Sequence, residues 1–121
     1  MNIPALKTVM MPKDTNAMGT IFGGVILSHI DLAGAEEARK HGVHKYVTVA
    51  MENVVFKEPI FVGDTVSYYT ELVKLGNTSI TVKVTVKATN RHIDQVERDV
   101  TGATLTYVAV DDKRQPISIK G

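Results

Sequence analysis

The chain has 121 residues, 44% of them hydrophobic, a formal net charge of +1 and no cysteine. Length and apolar content fit one folded domain over residues 1–121 and exclude a disordered polyelectrolyte. The lack of cysteine excludes disulfides, thiolate metal sites and a cysteine nucleophile, and a balanced charge without a basic block gives no footing for nucleic-acid binding.

Residues 2–9 mix apolar and polar positions and predict an edge strand. Residues 10–22 form a loop rich in turn formers: Pro12, Asp14, Asn16 and Gly19. Gly23 and Gly24 open a helix expected to run to about His41. Arg39, Lys40 and His41 suit the negative end of its dipole, and Gly42 suits an αL cap. Residues 44–56 alternate with period two, placing Tyr46, Thr48, Ala50, Glu52, Val54 and Phe56 on one face. Residues 57–64 are a connection in which Pro59 breaks strand pairing. Residues 65–75 predict a strand and Gly76-Asn77 a turn. Residues 78–89 return, with Ile80, Val82, Val84, Val86 and Ala88 on one side. After a turn over 90–95, residues 97–110 form the last long strand. The tail, 111–121, keeps a short apolar patch at 117–119.

Strand, helix and four long strands in a meander make an α+β arrangement, one helix on one face of an antiparallel sheet. Ala33, Gly34, Ala35 and Ala38 let a curved sheet approach the helix backbone. One helix covers only part of one sheet face, so a second subunit in a symmetric dimer is the expected completion. Residues 1–7 lack the basic and apolar regions of a signal peptide, and no apolar run is long enough for a membrane span. The expectation is a soluble cytoplasmic protein with no membrane partner.

Asp31 interrupts this apolar helix and is expected to be buried. A carboxylate there is costly unless paired or hydrogen-bonded, so it reads either as a structural group or as an acid–base catalyst. Neighbouring Ser28, His29 and Leu32 offer no cation, and Gly34 and Ala35 leave space beside it. Gly23-Gly24 reads either as a turn and cap or as a pair of free helix N-terminal amides able to polarise a carbonyl. His29, two residues from Asp31, projects to a different side of the helix and reads either as a rival acid–base group or, better, as a packed or surface histidine. His41 and His44 make a weak metal pair, and helix capping accounts better for His41. Lys57, Lys74 and the Asn77-Thr78-Ser79 turn read either as phosphate donors or as solvated lysines and a plain hairpin. No serine-elbow, zincin, dinucleotide or P-loop motif occurs. Any chemistry must proceed without a serine or cysteine nucleophile.

The run Pro12-Lys13-Asp14-Thr15-Asn16-Ala17-Met18-Gly19-Thr20-Ile21-Phe22-Gly23-Gly24, followed by Ser28-His29-Ile30-Asp31-Leu32-Ala33-Gly34, resembles the acyl-CoA thioesterases of the hotdog superfamily. It is most similar to the bacterial acyl-CoA thioester hydrolases and the brain acyl-CoA hydrolase. The likeness continues through residues 56–64 and the Lys74-Leu75-Gly76-Asn77-Thr78-Ser79 turn to about Val110.

The resemblance implies a hotdog fold, one long helix wrapped by five to six antiparallel strands. It also implies hydrolysis of acyl-CoA to free acid and CoA, without metal or other cofactor, by dimers that often assemble as trimers of dimers. It assigns Asp31 as general base or nucleophile and Asn16 as a residue supplied by the opposite subunit. It assigns Gly23 and Gly24 as the amides that hold the thioester carbonyl. Regions matching Lys57, Lys74, Asn77, Thr78 and Ser79 contact CoA in that family. Met18 stands where relatives carry a small or polar residue and Phe22 where some carry histidine. Both bear on chain length rather than on catalytic groups. Two rivals share the fold: a non-catalytic acyl-CoA binding module, and a hydroxyacyl dehydratase, whose loop histidine residues 10–24 lack.

Overall fold

The computed structural model describes residues 3–90 and 95–120. The predicted turn at 90–95 therefore lies mostly outside the described residues. Five strands and one helix follow in order: β1 (Leu6–Val9), a 3-10 turn (Pro12–Asp14), α1 (Gly23–Arg39), β2 (Lys45–Phe56), β3 (Asp64–Leu75), β4 (Ser79–Asn90) and β5 (Arg98–Val110).

All strands are antiparallel, in the order β1-β3-β4-β5-β2. The meander therefore has three strands, β3-β4-β5, and not the four expected. β2 lies on the far side of β5, with Tyr46 opposite Ala109 and Phe56 opposite Thr101. The reason is the linker over residues 57–63, which carries the chain past the loop before α1, where the Ile60 carbonyl accepts the Ile21 amide, from the β2 edge across to β3, next to β1. Strand pattern alone specifies which residues are extended, not which neighbour they pair with.

The helix buries Ile26, Ile30, Ala33, Gly34, Glu37 and Ala38, a stripe of helical period. It packs on the row Ile80, Val82, Val84, Val86 and Ala88 of β4, each with no exposed surface, as the alternation predicts. From β5, Ala103, Leu105, Tyr107 and Ala109 complete the same layer. Contact is closest at Gly34, where an added Cβ would overlap the Tyr107 hydroxyl. That hydroxyl donates 2.7 Å to the backbone oxygen of Asp31, tying α1 to β5.

Two expected details differ. The helix ends at Arg39, and Gly42 is not in the αL region. Instead the amides of Lys40 and His41 bond back three residues, to Glu37 and Ala38, tightening the last turn. Gly42 is small for another reason: a Cβ there would come 2.8 Å from the Ile119 carbonyl of the tail. That tail is part of the core, with Ile119 buried and its amide bonded to the Asn77 carbonyl.

The single alternation expected for β2 also fails. Register shifts fall between Thr48 and Ala50 and between Glu52 and Val55, and Asn53 adopts φ 55°. A one-residue bulge exchanges the two faces of a strand, so even-numbered Tyr46 and odd-numbered Met51 both pack on the core. β2 forms an edge of the sheet and leaves Val49 (55%) and Phe56 (52%) exposed, opposite-edge cover being absent in one protomer. Among the described residues no helix is long and apolar enough to cross a membrane.

Candidate active site

The loop before the helix is built by its own polar groups. Asp14 is buried; its carboxylate accepts from the Met11 amide at 2.9 Å and from Lys13 at 3.1 Å. Those two donors hold its carboxyl below the usual range. The Asp14 carbonyl accepts the Phe22 amide, and the Ile60 carbonyl accepts the Ile21 amide. These bonds deliver the chain to the helix start. Asn16 folds the loop tip: its Oδ1 accepts from the Met18 and Thr20 amides and its Nδ2 donates to Thr20 Oγ1. Within one protomer Asn16 makes no contact with Asp31.

Phe22 caps the helix without a side-chain hydrogen bond. The first amides of a helix have no intrahelical acceptor, so the amides at Gly23 and Gly24 remain available. The glycines also admit aromatic rings: a Cβ on Gly23 would meet Phe56 at 3.3 Å, and one on Gly24 would meet Phe22 at 2.7 Å. Beside Gly23 opens a pocket of about 350 Å³. Its walls are Ile21, Ile26, Phe56, Pro59 and Ile60, with Lys57, Glu58 and Thr101 supplying the polar side chains.

Asp31 is half-buried, not buried as expected. It belongs to the face of α1 turned toward the β2 edge, between fully buried Ile30 and exposed Leu32. Seven residues separate it from Gly24, about 10 Å along nearly the same helix face. Its Oδ1 accepts a 2.6 Å hydrogen bond from Thr48 of β2. The sequence marks Thr48 only as a hydroxyl on the strand that follows the helix. On the opposite side of Asp31, burial and the Asp31 charge raise the Tyr107 pKa far above 10, so this hydroxyl stays a donor. Asp31 is thus held through its backbone by β5 and through its carboxylate by β2.

Three histidines take structural places. His29 packs edge-on against Tyr68 and shares a 3.2 Å hydrogen bond with its hydroxyl, on the side of the helix away from Thr48. His41 pairs with Glu37 at 2.9 Å, and His44 donates to the Ile119 carbonyl at 2.7 Å. Among the described residues no cluster of three His, Asp or Glu side chains could hold a metal.

The structure separates the phosphate candidates. Lys57 lies at the pocket beside Gly23. Lys74, Asn77, Thr78 and Ser79 lie at the other end of the sheet, where Ser79 faces Val108. Val108 is seven residues, roughly 23 Å, from the pocket residue Thr101 along β5. Asn77 is engaged by the tail, its Oδ1 accepting from Ser118, and the Thr78 carbonyl accepts the Ala109 amide.

The Thioesterase superfamily profile matches residues 18–93. The chain belongs to the hotdog thioesterase superfamily. A hexameric hotdog-fold thioesterase of Campylobacter jejuni is 49% identical, with a TM-score of 0.88 over 97% of this chain and 91% of that one. A hexameric broad-specificity acyl-coenzyme A thioesterase, solved as an aspartate-to-alanine mutant, superposes with a TM-score of 0.93 at 39% identity, covering 98% and 87%. The acyl-CoA thioester hydrolase YciA of Salmonella typhimurium is 40% identical over 96% of this chain and 90% of its own. The one-helix, five-strand antiparallel sheet described above is the hotdog fold of this superfamily.

Proposed function

We propose that this hotdog protein hydrolyses acyl-CoA thioesters to a free acid and CoA, with Asp31 as its acid–base or nucleophilic group. The observation that carries this reading is what α1 presents: free N-terminal amides at Gly23 and Gly24 beside an apolar pocket, and a Thr48-held carboxylate about 10 Å further along, too far to serve one carbonyl, so that the amides of one subunit would work with the Asp31 of a second copy. The amides would accept the thioester oxygen and stabilise the oxyanion that forms when the carbonyl is attacked. Asp31 would take a proton from water as the hydroxide adds. Collapse of the adduct breaks the C–S bond, and the sulfur leaves as the CoA thiol after receiving that proton. In the alternative route the Asp31 carboxylate itself adds and expels the thiolate, and water then opens the resulting anhydride. No metal or cofactor enters either route; CoA is part of substrate and product.

The working unit of this proposal is a homodimer, with a trimer of dimers as the full assembly. Support comes from the edge strand β2, which exposes Val47, Val49, Val55 and Phe56, and from the helix, which exposes Leu32. An uncovered edge of this length invites pairing with a second copy. The hexameric state of the Campylobacter relative agrees. Across that junction Asn16 of the partner subunit would complete the site around Asp31. Lys57, at the pocket, would meet the CoA phosphates. Lys74, Asn77, Thr78 and Ser79 would reach CoA only from another subunit of the assembly.

The test is thiol release from acyl-CoAs of short, medium, long and aromatic chains by wild type, Asp31→Asn and Asp31→Ala. Wild type should turn over at least one class, and both variants should lose at least about a hundredfold in kcat while staying folded. Full activity in a folded Asp31 variant removes Asp31 from the mechanism. Binding of acyl-CoA by wild type with no turnover of any chain would identify a binding module instead.

A further inference from the structure

The linker between β2 and β3 forms one side of the pocket beside Gly23, through Lys57, Glu58, Pro59 and Ile60. Backbone bonds pin it at several points. The Lys57 and Glu58 amides donate to the Val100 carbonyl of β5, and the Ile60 carbonyl accepts the Ile21 amide. At the far end Asp64, with no exposed surface, accepts the Phe61 amide on Oδ2 at 3.0 Å. One side chain that the mechanism above does not use reaches both ends. Arg98, at the start of β5, donates from Nη2 to the same Asp64 Oδ2 at 3.2 Å, and its Nε pairs with Glu58 at 3.4 Å.

A buried carboxylate needs a partner, but this pairing is not the one that serves Asp64 best. One edge of a guanidinium matches the two oxygens of a single carboxylate. Here that edge is divided between two carboxylates, and Asp64 Oδ1 is left without a partner. The division serves the linker. It ties residue 58 to residue 64 through one rigid plane, and these two residues bracket Pro59 and Ile60. A lysine ammonium is a single point charge on a flexible stem, and would neutralise either end without fixing their separation.

We propose that Arg98 is a positioning residue for acyl binding. It sets the spacing between Glu58 and Asp64, which keeps Pro59 and Ile60 in place as the wall against which the acyl chain lies. Arg98 does not itself line the pocket; it acts through the linker. This inference rests on the thioesterase reading above, in which the chain enters this pocket while its carbonyl is held at Gly23 and Gly24.

The experiment measures by titration calorimetry the affinity of wild type, Arg98→Lys, Glu58→Ala and the double variant for CoA and for S-hexyl-CoA, a thioether that cannot be hydrolysed. The ratio of the two affinities isolates the chain, because a change of charge beside the CoA moiety cancels. Wild type should bind S-hexyl-CoA at least about tenfold more tightly than CoA, from the apolar surface that the chain buries. Each single variant should shrink that advantage at least about threefold, and the double variant no further than the larger single effect, because both changes break one link. Urea midpoints report stability separately. An ion pair that only stabilises the fold would lower the midpoints and leave the ratio unmoved. If Arg98→Lys fails to fold, Arg98→Met combined with Asp64→Asn takes its place, since it removes the buried charge together with its partner. An unchanged ratio in a folded Arg98 variant, single losses that multiply in the double variant, or a wild type that gains nothing from the hexyl chain overturns the proposal. The thioesterase reading falls with it only if wild type also releases thiol from no acyl-CoA.

Discussion

Gly34→Ala probes the contact that holds the helix segment carrying Asp31. In an exposed helix interior this change stabilises by about 1 kcal/mol. Here the new methyl overlaps the Tyr107 hydroxyl and comes 3.0 Å from the ring carbon that bears it. Tyr107 is 1% exposed and has nowhere to go. Overpacking a core costs about 1–3 kcal/mol, and displacing the hydroxyl from the Asp31 carbonyl leaves a buried polar group unpaired at about 1–3 kcal/mol more. Subtracting the helix gain leaves a net destabilisation of about 1–5 kcal/mol. Urea unfolding at fixed protomer concentration, with the slope unchanged, should show this as a lowered midpoint. Adding Tyr107→Phe should recover part of the loss, since it removes the overlapping oxygen but not the ring carbon. A neutral or stabilising Gly34→Ala would refute the claim that helix and sheet meet here at their closest.

Three further outcomes follow from the same geometry. Thr48→Val removes a hydrogen bond to a charged group, typically about 1.5–3 kcal/mol, and should lower kcat about 10- to 100-fold with little change in KM; an unchanged kcat would make the bond incidental. Burial alone would raise the pKa of Glu37, but hydrogen bonds from His41, Thr70 and Lys40 outweigh it and hold the carboxyl below its ordinary 4.5. A pKa depressed on folding gives stability that is present above about pH 4.5 and is lost as pH falls through the folded value. Urea midpoints of wild type should therefore drop more steeply below pH 4.5 than those of Glu37→Gln, and parallel profiles would contradict this. Val49→Asp places a charge on the exposed β2 edge and should convert the assembly to smaller species in light scattering, with loss of thiol release; an intact, active assembly would mean that subunits meet elsewhere.

Much of this protein is legible in its sequence because the relevant signals are local. The row Ile80 to Ala88 shows its buried face by alternation alone. Asp31 stands out as a carboxylate among apolar helix residues, and Gly23-Gly24 marks the helix start. The family resemblance rests on the same short runs. Even the small residues Ala33, Gly34 and Ala38 foretell a close helix–sheet contact, which Gly34 and Tyr107 make.

Tertiary structure decided what depends on residues distant in the chain. Pairing of β2 with β5 is invisible to a period-two pattern, because extended residues do not encode their neighbours, and the bulges of β2 exchange its faces partway along. Asp31 proved half-buried because its helix face turns toward that edge strand rather than the core. Its hydrogen bond from Thr48 spans 17 positions and its backbone tie to Tyr107 spans 76. Arg98 reads as one more strand-end cation until the fold sets it between Glu58 and Asp64. The local signals named the groups capable of chemistry; packing across the sheet determined which of them are held, which are free, and which lie together.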